Sequence, residues 1–209
     1  MLYEMRTYTL RPGTVGEFEA RFAKRHPLRE KHSKLGAFWH TELGTLNQVI
    51  HVWPYDDLQH RMAVRTAMAN DTELAQVPGG RDFIVAQESE IMNPAPFMHA
   101  LGSRDHGTGN VYEMRIYTFA PGDIAKVLEG WEKAIPAREQ FSPLAACLTS
   151  DVGGLNKFVH IWPYKNSIER DRIRAESRAP GRLWPPQSGV RPLRQENKLL
   201  IPASFSPVR

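Results

Sequence analysis

The sequence repeats itself at a spacing of 109 residues. Residues 3–9 read YEMRTYT and residues 112–118 read YEMRIYT, and a Pro-Gly pair follows each copy. Further along each half, HVWPY at 51–55 recurs as HIWPY at 160–164. Towards the end of each half the match continues at an offset of 108, so it runs through both halves. A period of this length indicates that the chain contains two copies of one structural unit.

Each half predicts the same order of elements. Alternating apolar and polar residues predict strands, and apolar residues at helical spacing predict helices. In the first half these are a strand at 2–10, a helix that begins at the capping box Thr14-x-x-Glu17, strands at 35–42 and 46–53, a helix at about 56–69 and a strand near 82–92. We expect Pro27 and Pro136 to kink or end the first helix of each half. The order β-α-β-β-α-β is that of a ferredoxin-like unit.

We therefore predict an α+β fold built from two ferredoxin-like repeats. The first repeat is assigned to 1–97 and the second to 111–209, with a linker at 98–110. The helices of each repeat cover one face of its sheet, and the other face must also be buried. Two such sheets packed on their open faces solve this problem within one chain. We expect a single pseudo-twofold barrel rather than two independent domains.

The paired motifs resemble the two signatures of the NIPSNAP family. One signature is YEMRTYT with its following Pro-Gly pair, and the other is LN-x-x-x-HVWPY at 46–55; both recur in the second half. Trp184-Pro185-Pro186 is also similar to that family, whereas the first half departs from it with PGGR at 78–81. The resemblance implies the dimeric α/β-barrel fold. That superfamily includes cofactor-free and haem-degrading monooxygenases, and the resemblance implies no single activity.

Strand parity selects the candidate site residues, because successive side chains of a strand point to opposite faces. The more apolar set, which contains Met5, Ile50 and Val52, is expected to meet the helices, so the polar set would point into the barrel. The predicted pocket residues are Glu4, Arg6, Tyr8, Asn47, His51 and Trp53 in the first half, and Glu113, Arg115, Tyr117, Asn156, His160 and Trp162 in the second. Buried charges of this kind need partners or a ligand.

The chemistry of these residues supports two interpretations. His51, His160 or the unduplicated His40 could act as a general base, and Arg6 or Arg115 could hold a carboxylate or an enolate-like oxygen. Alternatively, the same side chains form satisfied polar networks that fix the strand register. Arginines at i,i+4 on the second helix of each half could bind an anion or form salt bridges; they are Arg61, Arg65, Arg170 and Arg174.

Composition narrows the range of partners. The whole excess of positive charge lies at 165–194, and we interpret it as a solvated helix face because no nucleic-acid motif accompanies it. Cys147 lies in an apolar stretch and is expected to be a buried, inert thiol. No Cys/His spacing indicates a metal, no cofactor is predicted, and no apolar run approaches the roughly 20 residues of a membrane span. Without a presequence pattern at Met1, we expect a cytoplasmic protein of bacterial origin.

These observations lead to one preferred function and two alternatives. The preferred function is the binding of a small organic ligand in the barrel between the two sheets. The alternatives are a non-catalytic scaffold or interaction protein, and a cofactor-free or haem-linked enzyme similar to the monooxygenases. We also expect a homo-oligomer, because an unpaired sheet edge or an exposed apolar helix face favours self-association.

Overall fold

The computed structural model describes residues 1–103 and 109–209, so part of the predicted linker, 104–108, lies outside the described residues. The helices and strands are β1 (Leu2–Leu10), α1 (Val15–Glu30), β2 (Ala37–Leu43), β3 (Gln48–Tyr55), α2 (Leu58–Asn70), α3 (Thr72–Gln76), β4 (Ile84–Pro94), β5 (Val111–Thr118), α4 (Ile124–Glu139), β6 (Ala146–Val152), β7 (Lys157–Tyr164), α5 (Ser167–Ser177) and β8 (Arg194–Pro202). A short 3-10 helix at Arg81–Phe83 precedes β4. Residues 178–192 form an irregular loop, as the prolines and glycines there predict.

The strands form a closed antiparallel barrel. Their order around it is β1-β3-β2-β8-β5-β7-β6-β4, and β4 returns to pair with β1. Within each half, the first strand lies between the third and the fourth, as in a ferredoxin-like sheet. The halves join at two seams, where β2 pairs with β8 and β4 pairs with β6. The fold is therefore a mixed α/β barrel in which one continuous sheet encloses the core.

Apolar side chains from every strand of the barrel fill its interior. Met5, Ile50 and Val52 belong to this cluster, and the rings of Trp39 and Tyr112 lie 5.5 Å apart within it, one from each half. The predicted assignment of faces was wrong: the apolar set points into the barrel, and the polar set points outwards to the helices. Closure of the sheet explains this, because the helix-free face becomes the one that is enclosed on all sides and excludes water most completely.

The helices cover the outside of the barrel in two groups. In the first half, Phe18 of α1 and Val64 of α2 pack on the outer face of the sheet. In the second half, Val127 of α4 and Ile173 of α5 pack in the same way. The polar residues of the strands therefore lie under the helices, in a layer where apolar packing surrounds them.

The helix ends differ from the signals read in the sequence. Thr14 Oγ1 donates to the backbone oxygen of Arg11 and makes no cap to α1, so the capping-box prediction was wrong. α1 and α4 both run beyond Pro27 and Pro136. Each proline lies near the end of its helix, so it removes only one of the last backbone hydrogen bonds and the helix continues.

Candidate functional site

On the outer face of the barrel, a cavity lies under the helices of each half. The first-half cavity has a volume of about 600 Å³ and the second-half cavity one of about 450 Å³. Most of the predicted pocket residues line them: Glu4, Arg6, Tyr8, His51 and Trp53 line the first, and Glu113, Arg115, Tyr117, His160 and Trp162 line the second. The sequence thus identified lining residues, but it placed them inside the barrel, which the apolar core occupies.

Each cavity contains a histidine with only one of its two ring nitrogens hydrogen-bonded. Trp162 Nε1 donates to His160 Nδ1 over 2.7 Å, and Trp53 Nε1 donates to His51 Nδ1 over 2.6 Å. An indole N–H can only donate, so Nδ1 is the unprotonated nitrogen and Nε2 carries the proton. Both Nε2 atoms are buried without a hydrogen-bond partner among the described residues. Each of these two histidines therefore offers one unused N–H donor.

Burial keeps both imidazoles neutral. It lowers the pKa of His51 to about 3, and the charge of Arg6 adds to the effect. Burial also places the pKa of His160 well below its ordinary value, with further lowering by the charges of Arg115 and Arg138. A neutral ring that carries its proton on Nε2 can donate a hydrogen bond from that nitrogen to a ligand oxygen. A second proton would have to bind at Nδ1, which already accepts from tryptophan, and it would charge a buried group.

A buried glutamate collects the arginines of the second-half cavity. Glu113 accepts hydrogen bonds from Arg170 at 2.6 Å, from Arg174 at 3.0 Å and from Arg115 at 3.1 Å. Burial raises the pKa of Glu113, but the hydrogen bond from Arg170 and the neighbouring arginine charges outweigh burial, so the pKa is lowered overall. Glu113 therefore stays ionised and orients the three guanidinium groups.

Glu4 has the same arrangement in the first half. It accepts hydrogen bonds from Arg61 at 2.7 Å, from Ser89 at 2.7 Å and from Arg6 at 3.1 Å. Burial alone would raise the pKa of Glu4, but the hydrogen bonds from Arg61 and Ser89 and the charge of Arg6 lower it to about 2. Arg65 is more distant, with its Nη1 atom 3.9 Å from the carboxylate.

The four arginines predicted as an anion clamp thus divide into two pairs. Arg61 and Arg170 each bridge the second helix of their half to the buried glutamate on the strand. Arg65 and Arg174 line the cavities. The salt-bridge interpretation therefore describes Arg61, Arg170 and also Arg174, which lies 3.0 Å from Glu113, while Arg65 and Arg174 border the space that a ligand would occupy.

Sequence reasoning missed several arginines that line the cavities, and two of them occupy equivalent positions in the two halves. Arg29 lies with its guanidinium carbon 4.0 Å from the centre of the Trp53 ring, and Arg138 lies 4.2 Å from that of Trp162. Both donate to a tyrosine hydroxyl over 3.1 Å. The sequence repeat could have identified Arg29 and Arg138, because they also stand 109 residues apart. Both arginines follow the prolines Pro27 and Pro136, where the helices were expected to kink or end, so they were not assigned to a helix face.

Three predicted residues lie away from the cavities. Asn47 and Asn156 occupy hairpin turns with φ of 57° each, a left-handed conformation that asparagine tolerates better than most residues, so their role is in the turn. His40 Nδ1 lies 2.8 Å from a carboxylate oxygen of Glu19, and that hydrogen bond raises the pKa of His40. Within residues 1–103 and 109–209, no group of three His, Cys, Asp or Glu side chains is arranged to hold a metal ion.

The second-half cavity has an aromatic wall supplied by the loop at 178–192. The ring of Trp184 lies 4.8 Å from that of Trp131 and 5.7 Å from that of Trp162. Pro185 and Pro186 continue this wall. The loop that the resemblance singled out in the sequence therefore helps to form a cavity.

Together, the fold and the cavities define a mixed α/β-barrel protein with a basic and aromatic cavity under each pair of helices. The NIPSNAP family model matches residues 3–99 and 112–207, and the chain belongs to that family. It is 34% identical to mouse NipSnap homolog 3B over 223 residues, which cover 99% of this chain and 85% of that protein. It is 32% identical to human NipSnap homolog 3A, covering 100% of this chain and 86% of that protein.

A candidate monooxygenase from Lactobacillus acidophilus has a similar fold, with a TM-score of 0.65 and 12% identity over 97% of this chain and 94% of its own. At that identity the likeness concerns the fold alone. The similar proteins include animal ones, so they give no support to a bacterial origin in particular. Among the described helices, none is long and apolar enough to cross a membrane.

Proposed function

We propose that the second-half cavity binds a small organic acid. The observation that carries this proposal is the Nε2–H of His160, a donor without a partner among the described residues, on a side chain that is 2% exposed. An unsatisfied buried donor costs about 1–3 kcal/mol, and a ligand oxygen placed against it would remove that penalty. A volume of about 450 Å³ suits a small molecule.

The charge of the cavity supports an acidic ligand. Its lining contains one carboxylate, Glu113, and four arginines: Arg115, Arg138, Arg174 and Arg178. Burial lowers the pKa of Arg178, and repulsion from Arg174 and Arg115 lowers it further, as is typical of positive charge in excess. A ligand carboxylate would supply the missing negative charge, and the tryptophan wall would pack against its apolar part.

The protonation of His160 favours binding over acid–base catalysis. Its Nδ1 accepts from Trp162, and its Nε2 holds a proton, so neither nitrogen is arranged to act as a general base. An enzyme of the monooxygenase type would need its base elsewhere. A non-catalytic scaffold remains the competing hypothesis, and it predicts no selective affinity for organic acids.

The test compares 1-naphthoate with its uncharged amide by thermal unfolding and titration calorimetry. At a concentration of about ten times its Kd, a ligand that binds only the folded state adds roughly 1.4 kcal/mol to the free energy of unfolding. This raises the Tm of a chain of this size by about 3–6 °C. We expect this shift with the acid and little with the amide. In His160→Asn the Oδ1 atom can accept from Trp162, but the shorter side chain places no donor where Nε2 stands, so this variant should weaken binding about tenfold.

His51→Asn is the matched control, because it makes the same change in the first-half cavity and should leave the affinity for the acid unchanged. Trp184→Ala is a second variant, which removes part of the wall without touching the histidine. Equal responses to acid and amide, or binding that survives both His160→Asn and Trp184→Ala, would overturn the proposal.

A further inference from the structure

The first-half cavity carries two polar residues that its counterpart lacks. Arg25 and His26 of α1 stand where α4 has Ala134 and Ile135, at the same spacing of 109 residues. Arg25 and His26 line the first-half cavity, whereas Ala134 and Ile135 belong to the apolar cluster of the second half. A cation and an imidazole thus replace two apolar side chains at one place in the fold.

Two adjacent glycines, Gly79 and Gly80, lie beside this cavity, whereas Trp184 helps to form the wall of the other. A Cβ atom on Gly79 would lie 3.3 Å from Cδ of Arg25, and one on Gly80 would lie 2.8 Å from a ring carbon of Phe18. Gly80 also has a φ of +73°, which side-chain-bearing residues rarely adopt. The backbone can therefore pass close to Arg25 without filling the cavity.

Three buried donors among the lining residues have no hydrogen-bond partner in the described part of the chain: Nε of Arg6, Nε2 of His51 and Nε2 of His26. A carboxylate oxygen of Glu30 lies 3.5 Å from His26 Nε2. The cavity is also strongly cationic, since a single carboxylate in its wall, Glu4, faces the arginines Arg6, Arg25, Arg29, Arg65 and Arg81.

We propose that the first-half cavity is a second and independent binding site, which takes an organic phosphate monoester. A phosphate monoester carries nearly two negative charges and three strong acceptor oxygens near neutral pH. Three acceptors can satisfy the three unused donors, and two charges offset more of the arginine excess than one carboxylate can. Phe22 and Met68 in the wall would contact the organic part.

Phenyl phosphate is the probe, and calorimetry gives both its affinity and its stoichiometry. We expect one equivalent to bind. His26→Ile, which installs the residue of the second half, should weaken binding at least about fivefold, because it removes a donor and a potential charge. Arg81→Gln should also weaken it, and this exposed side chain can be changed without disturbing the core.

Trp184→Ala is the matched control, because it alters the second-half cavity alone and should leave the affinity for phenyl phosphate unchanged. The effect of Trp184→Ala on 1-naphthoate binding is measured separately, so the proposal for one site can be refuted while the proposal for the other stands. The proposal is overturned by an absence of binding, by affinities that neither His26→Ile nor Arg81→Gln changes, or by loss of binding in Trp184→Ala. It is also overturned if inorganic phosphate binds as tightly as phenyl phosphate, since the organic part would then go unrecognised.

Discussion

Replacing Glu4 with glutamine removes the negative charge that joins β1 to the arginines of α2. Glu4 has a folded-state pKa of about 2 against an ordinary value of 4.5, so its ionised form stabilises the fold by up to about 3 kcal/mol. Arg65 is 48% exposed, so solvent screens its share of this energy. We therefore expect Glu4→Gln to lower the free energy of unfolding at pH 7 by about 2–3 kcal/mol.

The pH dependence gives this prediction a sign that can be checked. Because the pKa of Glu4 is lowered in the folded state, its stabilisation is fully present above about pH 4.5 and is lost as the pH falls through about 2. At pH 3 less than half of the difference between the wild type and Glu4→Gln should remain. Urea denaturation of both proteins at pH 7 and pH 3 measures this difference in the free energy of unfolding, provided that the m-value is unchanged.

Glu88→Gln is the control for this experiment, since Glu88 is an exposed carboxylate on the neighbouring strand β4. It should change the stability by less than about 0.5 kcal/mol at either pH. A Glu4→Gln effect that equals that of the control, or that is the same at pH 7 and pH 3, would refute the argument that arginine pairing keeps Glu4 ionised.

Three further predictions concern the histidines and the two halves. Trp162→Phe leaves His160 Nδ1 without its donor and should lower the free energy of unfolding by about 1–3 kcal/mol in urea, so a loss below about 0.5 kcal/mol would contradict it. In ¹⁵N NMR spectra, His51 should keep its neutral Nε2–H form from pH 8 to pH 5, because burial lowers its pKa to about 3; a titration within that range would count against this. Separately produced chains covering 1–97 and 111–209 should associate into one stable species, because each alone leaves both seams unpaired, whereas two stable monomers would argue for independent domains.

The sequence was most informative about the elements of the fold. The alternation at 2–10 predicted β1 with its observed bounds, and the patterning predicted the order of strands and long helices along each half. These features depend on local periodicity, which a single sequence records directly. The capping box at Thr14 failed because its hydroxyl found a nearer acceptor, the backbone oxygen of Arg11.

The faces of the strands could not be assigned in the same way. Both faces are buried, one by the helices and one by closure of the barrel, so alternation separates them without saying which is which. Glu4 and His51 were read as interior residues because a polar face was taken to line the space between the halves. They lie under the helices instead, where Arg61 donates to Glu4 and Trp53 donates to Nδ1 of His51. Those partners come from other elements or depend on side-chain rotamers, and local patterns do not encode them.

The two seams between the halves determine how this chain can misassemble. Each of them pairs strands that are far apart in the sequence, and each contains a register shift, between Thr41 and Leu43 in one and between Ile91 and Met92 in the other. If one seam opens, it exposes two strand edges at once, each with unpaired N–H and C=O groups. When both seams open in two molecules, their halves can be exchanged and close again on each other. This reciprocal swapping would give a dimer that contains only native strand pairs. Such a dimer would dissociate slowly on dilution, because both seams must open again before the two chains can separate.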